Sequence, residues 1–145
     1  MPRYAILIKA TPTTEGKGTA APETLSAVAK FNEEMHSAGI LLGGEGLRPT
    51  SEEGYRLRFS DTTDKPELLL GPFDLQQQST ISGWWLIQVK NAEEALDWAT
   101  RIPFRGKQNA EVELRRVSEL ADFSMTEGQK KREIELRKEI EKGIF

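Results

Sequence analysis

Two tryptophans stand side by side in the most strand-like stretch of the chain, Ile81 to Val89. Side chains on a strand alternate between faces. Trp84 and Trp85 must therefore point to opposite sides of whatever sheet contains them. Ile81, Trp85, Ile87 and Val89 would face one layer, and Ser82, Trp84, Leu86 and Gln88 the other. A tryptophan buries about 150–250 Å², so both faces of this sheet need cover. The chain has 145 residues, enough for one core and not two.

The remaining pattern supplies the cover for one side. Tyr4 to Lys9 reads as a buried strand, followed by a Thr-, Gly- and Pro-rich loop over Thr11 to Ala21. Pro22 suits the first position of a helix. Leu25, Val28, Phe31 and Met35 then recur at helical spacing, and Gly39 stops the run. Ile40 opens a strand that leads into a turn at Gly43-Gly44-Glu45-Gly46. Tyr55 to Phe59 alternates as a half-exposed strand, and Leu68 to Leu70 is a short apolar one. Asn91 and Glu94 form a helix start of the capping-box type, with Ala95, Leu96, Ala99 and Ile102 as the apolar stripe and Pro103 as the stop. Val112 and Leu114 alternate with Glu113 and Arg115 in a last strand. The tail from Thr126 carries six basic and five acidic residues; Glu127 with Lys131 and Glu133 with Arg137 are spaced for helical ion pairs.

Strands divided by two helices predict an α+β sandwich, an antiparallel sheet with both helices on one face, plus an extra C-terminal helix. The face carrying Trp84 and Leu86 is too apolar for water, so a homodimer closed face to face is expected. The alternative cover is the charged C-terminal helix of the same chain, whose Leu136, Ile140 and Ile144 make a narrow seam for docking on the body or on a partner. Residues 1–123 form the domain and 124–145 the helical extension.

Composition excludes several chemistries. There are no cysteines and one histidine, which removes disulfides, thiolate metal sites, a cysteine nucleophile and multi-histidine metal centres. No cofactor and no metal is expected. Net charge is −3, which lacks the basic footprint of nucleic-acid binding. No apolar run suits a membrane span. No signal-type segment precedes the first strand, so the expected location is cytoplasmic.

Four segments resemble one family. Gly44-Glu45-Gly46-Leu47-Arg48-Pro49 resembles its GEGL-x-P turn, and Gly71-Pro72-Phe73 its DGPF motif. Gly83 to Lys90 with Glu93-Glu94-Ala95 resembles its aromatic strand and second helix, and Glu111 to Arg115 its closing strand. The chain is similar to YCII-related proteins of the DGPF type. That resemblance implies a ferredoxin-like fold and a dimeric α+β barrel. Relatives in the wider superfamily act on small cyclic or aromatic compounds without metal or flavin, and a His–Asp pair is proposed as the active centre in part of the family. Here Leu70 stands in place of the motif's Asp, Gln76-Gln77-Gln78 replaces its Lys-Glu, and no histidine lies near Val28 to Lys30.

Several side chains remain as ligand-pocket candidates. Glu45 and Arg48 flank the glycine-rich turn, where backbone can approach a ligand. Glu113 and Arg115 share the sheet face opposite the helices, and Arg58 sits on the alternating strand. Asp74 either replaces the missing acid or bonds its own turn. Gln77 and Gln78 can hydrogen-bond a ligand but not exchange protons. Trp84 either stacks on an aromatic ligand or buries itself in the dimer. His36 is the weakest candidate, in the last turn of its helix. The leading expectation is a dimeric small-molecule-binding or regulatory protein. A cofactor-independent isomerase, lyase or dehydrochlorinase-like enzyme, and a purely structural dimer, are the alternatives. The sequence does not decide between enzyme and non-enzyme.

Overall fold

The computed structural model describes residues 1–16, 20–104 and 110–144, without the side chain of Ile144. The elements run β1 (Arg3–Lys9), α1 (Pro12–Glu15), α2 (Pro22–Ser37), β2 (Leu41–Gly46), β3 (Tyr55–Arg58), β4 (Glu67–Leu70), β5 (Ile81–Gln88), α3 (Ala92–Thr100), β6 (Val112–Arg116) and α4 (Glu127–Ile144). A 3-10 turn, Leu120–Asp122, precedes α4. The main sheet has the order β2-β5-β1-β6, and its three strand pairs are antiparallel. β3 and β4 form a separate hairpin, inserted between β2 and β5.

Trp85 organises the core. It is buried with Ile87 and Val89 on the helix side of β5, beside Tyr4 and Ile6 of β1. Phe31 of α2 meets it edge-on at 5.5 Å, and Phe104 lies 6.5 Å away. Its indole N–H donates to the Asn32 carboxamide oxygen at 2.8 Å, so the one polar atom of the ring is satisfied inside the layer. Trp84 and Leu86 are half-buried on the opposite face. The alternation expected from the adjacent tryptophans therefore holds. Ile81, beyond the point where the register with β1 shifts between Ile8 and Lys9, is only half-buried.

The structure corrects four local expectations. Gly43 to Gly46 is strand, not turn. A Cβ on Gly44 would sit 2.7 Å from Trp85 Cδ1 and 2.9 Å from the Trp84 carbonyl oxygen, so the glycine admits the indole against the strand. Within the supposed loop, Pro12–Glu15 is helical, started by Thr11, whose hydroxyl accepts from Thr14 N–H. On α2 and α3, Leu25 and Leu96 are more than half exposed, whereas Trp98 is buried. α3 thus packs through Ala95 and Trp98 rather than through Leu96. Finally, α4 forms, but neither expected i,i+4 pair closes among the described residues; Lys142 reaches Glu139 at 3.4 Å instead. Its seam is not docked on the body, since Leu136 and Ile140 are more than half exposed; the Ile144 side chain lies outside the described residues.

Half of the capping box expected on α3 forms: the Asn91 side chain accepts from Glu94 N–H, but the Glu94 carboxylate accepts from Lys90 N–H rather than from Asn91 N–H. No helix among the described residues is long and apolar enough to cross a membrane.

Ile87 is fully buried between the helices and the sheet. Ile87→Ala should lower the unfolding free energy by about 2–5 kcal/mol, read as a lower urea midpoint with an unchanged slope.

Candidate functional site

Two regions gather the polar chemistry of the chain. One is the sheet face away from α2 and α3. The other is the loop junction at which the β3–β4 hairpin leaves the sheet.

On the open sheet face, the strand registers align Glu45, Trp84, Leu7 and Glu113 in one row across β2, β5, β1 and β6. The next row runs Gly43, Leu86, Ala5 and Arg115. A Cβ on Gly43 would lie 3.8 Å from the Trp84 ring, so the indole leans towards β2. The centre of the face is therefore apolar, with half-buried Ala5, Leu7, Trp84 and Leu86. Charge stands at its margins. Glu113 accepts from Arg115 at 3.3 Å, both side chains well exposed. Glu45 and Glu113 occupy opposite edge strands, three strand spacings or roughly 14 Å apart. Carboxylates that work as a pair on one substrate atom stand closer than that. Within one chain these two do not converge.

At the foot of the same face, Arg3 donates two hydrogen bonds to Glu119, at 2.9 and 3.1 Å. This fork ties the last segment before α4 to β1. The Arg3 hydrogen bonds hold the Glu119 carboxyl below its ordinary value, and the same contact raises Arg3.

The loop junction centres on Thr50, the one buried polar residue among those described. Its backbone N–H donates to Glu15 at 3.1 Å, and its hydroxyl also donates to that carboxylate. The hydroxyl oxygen accepts from Phe73 N–H at 2.9 Å. Gly54 N–H donates to the Thr50 carbonyl at 3.1 Å, and Gly71 N–H to the Gly54 carbonyl at 2.8 Å. A Cβ on Gly71 would overlap the Thr50 carbonyl oxygen. The Gly71-Pro72-Phe73 motif thus fastens both ends of the hairpin to α1. Arg56 lies over the Phe73 ring, 4.3 Å from its centre, a cation–π contact.

The other candidates are dispersed. Asp74 bonds its own turn, its carboxylate accepting from Gln76 N–H at 3.0 Å and its carbonyl from Gln77 and Gln78 N–H. Gln77 is exposed and Gln78 half-buried in that turn. Arg48 is exposed beyond β2, and Arg58 is exposed on β3 opposite Glu67. His36 is exposed near the C-terminal end of α2. Of the candidates, only Glu45, Trp84, Glu113 and Arg115 share one surface. Glu15 and Thr50 were absent from the sequence reading. The signal for Glu15 was the Thr11-Pro12 pair, a helix cap followed by proline at the first turn. Among the described residues, no cluster of three or more His, Asp or Glu is placed to hold a metal.

A four-stranded antiparallel sheet with two helices on one face and this strand order defines an α+β protein of ferredoxin-like topology. A family model for the YCII-related domain matches residues 2–121, and the chain belongs to the YCII-related family. No curated protein matches the chain.

Two outcomes follow from these contacts. Thr50→Val keeps the volume but removes the hydroxyl shared by Glu15 and Phe73 N–H. It should cost about 1–3 kcal/mol in a urea titration. Glu119 has a lowered carboxyl value in the folded state, so its contribution is complete above the ordinary 4.5 and is lost as pH falls through the lowered value. Glu119→Gln should be less stable than wild type at neutral pH by up to about 1 kcal/mol. The gap should close on acidification, measured as paired urea midpoints across pH.

Proposed function

We propose that the chain is a homodimeric binding module for a small planar or cyclic ligand, taken against Trp84 on the open sheet face. The observation that carries this reading is the half-buried indole at the centre of an apolar sheet face, with charges only at the margins. Small-molecule sites are concave and mostly apolar with a few placed polar groups; this face has that composition but is open in the single chain. A second copy closing over the face would turn the floor into a cavity and bring edge carboxylates from two chains towards one space.

The regulatory or binding role is favoured over proton transfer by where the acids lie. Asp74 is engaged in its own turn and Glu113 is paired with Arg115. Glu15, the carboxylate nearest the Gly71-Pro72-Phe73 motif in bonding terms, is engaged by Thr50. One observation supports a cofactor-independent enzyme as the second reading. Glu45 stands directly across from Trp84, exposed and without a side-chain hydrogen bond or ion pair among the described residues.

Trp85 and Trp98 are buried and Trp84 is half-buried. Ligand contact should therefore quench mainly Trp84 emission. A panel of aromatic carboxylates, phenols and cyclic lactones is titrated against wild type and Trp84→Phe. The expected result is saturable quenching in wild type that disappears in Trp84→Phe. No quenching by any compound favours the purely structural dimer. Turnover that Glu45→Gln abolishes while binding persists favours the enzyme.

A further inference from the structure

The β3–β4 hairpin presents two different ladders. On the inner one, Arg56 and Leu69 are directly opposed and half-buried, with Arg56 against Phe73. On the outer one, Tyr55 opposes Leu70 and Leu57 opposes Leu68. All four are between 52% and 67% exposed, and Phe59, just past β3 with the same parity, is 82% exposed. A two-stranded hairpin with a bare apolar face is at best marginally stable in water.

We infer that the outer ladder is buried against a second copy of this chain, as an arm that extends the sheet-face contact; this rests on the dimer proposed above. The area argues for a copy. With aromatic rings worth about 150–250 Å² each, the ladder and Phe59 expose on the order of 500 Å², near the upper range for a single-chain surface. That is less than the ~800 Å² per partner of a stable interface. The half-buried strip of Ala5, Leu7, Trp84 and Leu86 on the same chain adds further apolar area to the ladder. Charge is compatible with self-association. The outer ladder has no charged side chain, because Arg56, Arg58 and Glu67 alternate onto the inner one. A two-fold axis that sets each ladder near its copy therefore opposes no like charges. The hairpin is also held firmly at its base, where Thr50, Gly54, Gly71 and Phe73 are bonded together. An arm fixed at its base loses less freedom on docking than a loose one.

The test is sedimentation equilibrium of the full chain over a wide concentration range, for wild type and for the double variant Leu57→Asn with Leu68→Asn. Both positions are more than half exposed in the single chain, so the variant should keep its far-UV circular dichroism. The expected result is a wild-type dimer and a dissociation constant raised on the order of 100-fold in the variant. A wild-type dimer with an unchanged variant overturns the arm and leaves the dimer reading standing. A wild type that stays monomeric overturns both, and its flotation with vesicles of phosphatidylcholine and phosphatidylglycerol would assign the ladder to lipid. Should the variant unfold, hydrogen exchange of the wild type decides. Protection of Tyr55–Arg58 and Glu67–Leu70 amides that rises with protein concentration supports the arm, and concentration-independent exchange overturns it.

Discussion

The approach of the Trp85 ring to the backbone of Gly44 is the contact on which the rest of the sandwich depends. A side chain at position 44 would meet both the ring and the neighbouring carbonyl. With glycine there, the indole lies against β2, its N–H reaches Asn32, and Phe31 and Phe104 close around it. α2 is thereby fixed over β2 and β5. α3 completes the layer with Ala95 and Trp98, the latter 6.2 Å from Phe31 and covered by Arg101. Close-packed interiors tolerate little change in volume, so this aromatic cluster sets the height of the helix layer. It also sets the opposite face, because a strand that commits Trp85 inward commits Trp84 outward.

The polar chemistry follows a different logic from the core. Buried polar groups need partners, and Thr50 has three: the Glu15 carboxylate, Phe73 N–H and, through its carbonyl, Gly54 N–H. This small network joins α1, the loop after β2 and both ends of the hairpin. Its function in the fold is to anchor an inserted element that has little core of its own. The family motif Gly71-Pro72-Phe73 is therefore a structural fastening in this chain. The open sheet face, by contrast, is left with an apolar centre and exposed acids at its edges.

The fold was largely legible in the sequence because its decisive signals are local. The parity of Trp84 and Trp85, the spacing of Phe31 and Met35, and the Asn91–Glu94 cap each rest on a few adjacent residues. The misread segments depend on contacts far away in sequence. The Gly43 to Gly46 run looks like a turn until Trp85, some forty residues later, is laid against it. Leu25 and Leu96 fit helical stripes, yet Phe31, Met35 and Trp98 occupy the space against the sheet. The site was less legible than the fold. Alternation placed Glu113 and Arg115 together on the correct face. Only the strand order shows that Glu45 and Glu113 lie on opposite edges. Glu15 and Thr50 met through a fold that no spacing between positions 15 and 50 announces.

The strand order also dictates a sequence of events during synthesis. β1 pairs with β5 and β6, both in the distal half of the chain, and β2 pairs with β5 across the inserted hairpin. Only β3 and β4 are near neighbours in sequence. Local pairs close in microseconds, whereas distant ones wait for loop closure. On the ribosome, the first strands thus emerge without partners while the hairpin is already able to form. Its uncovered leucines and Tyr55 are presented before the main sheet exists, so the first strand pairing open to the nascent chain is also its stickiest surface.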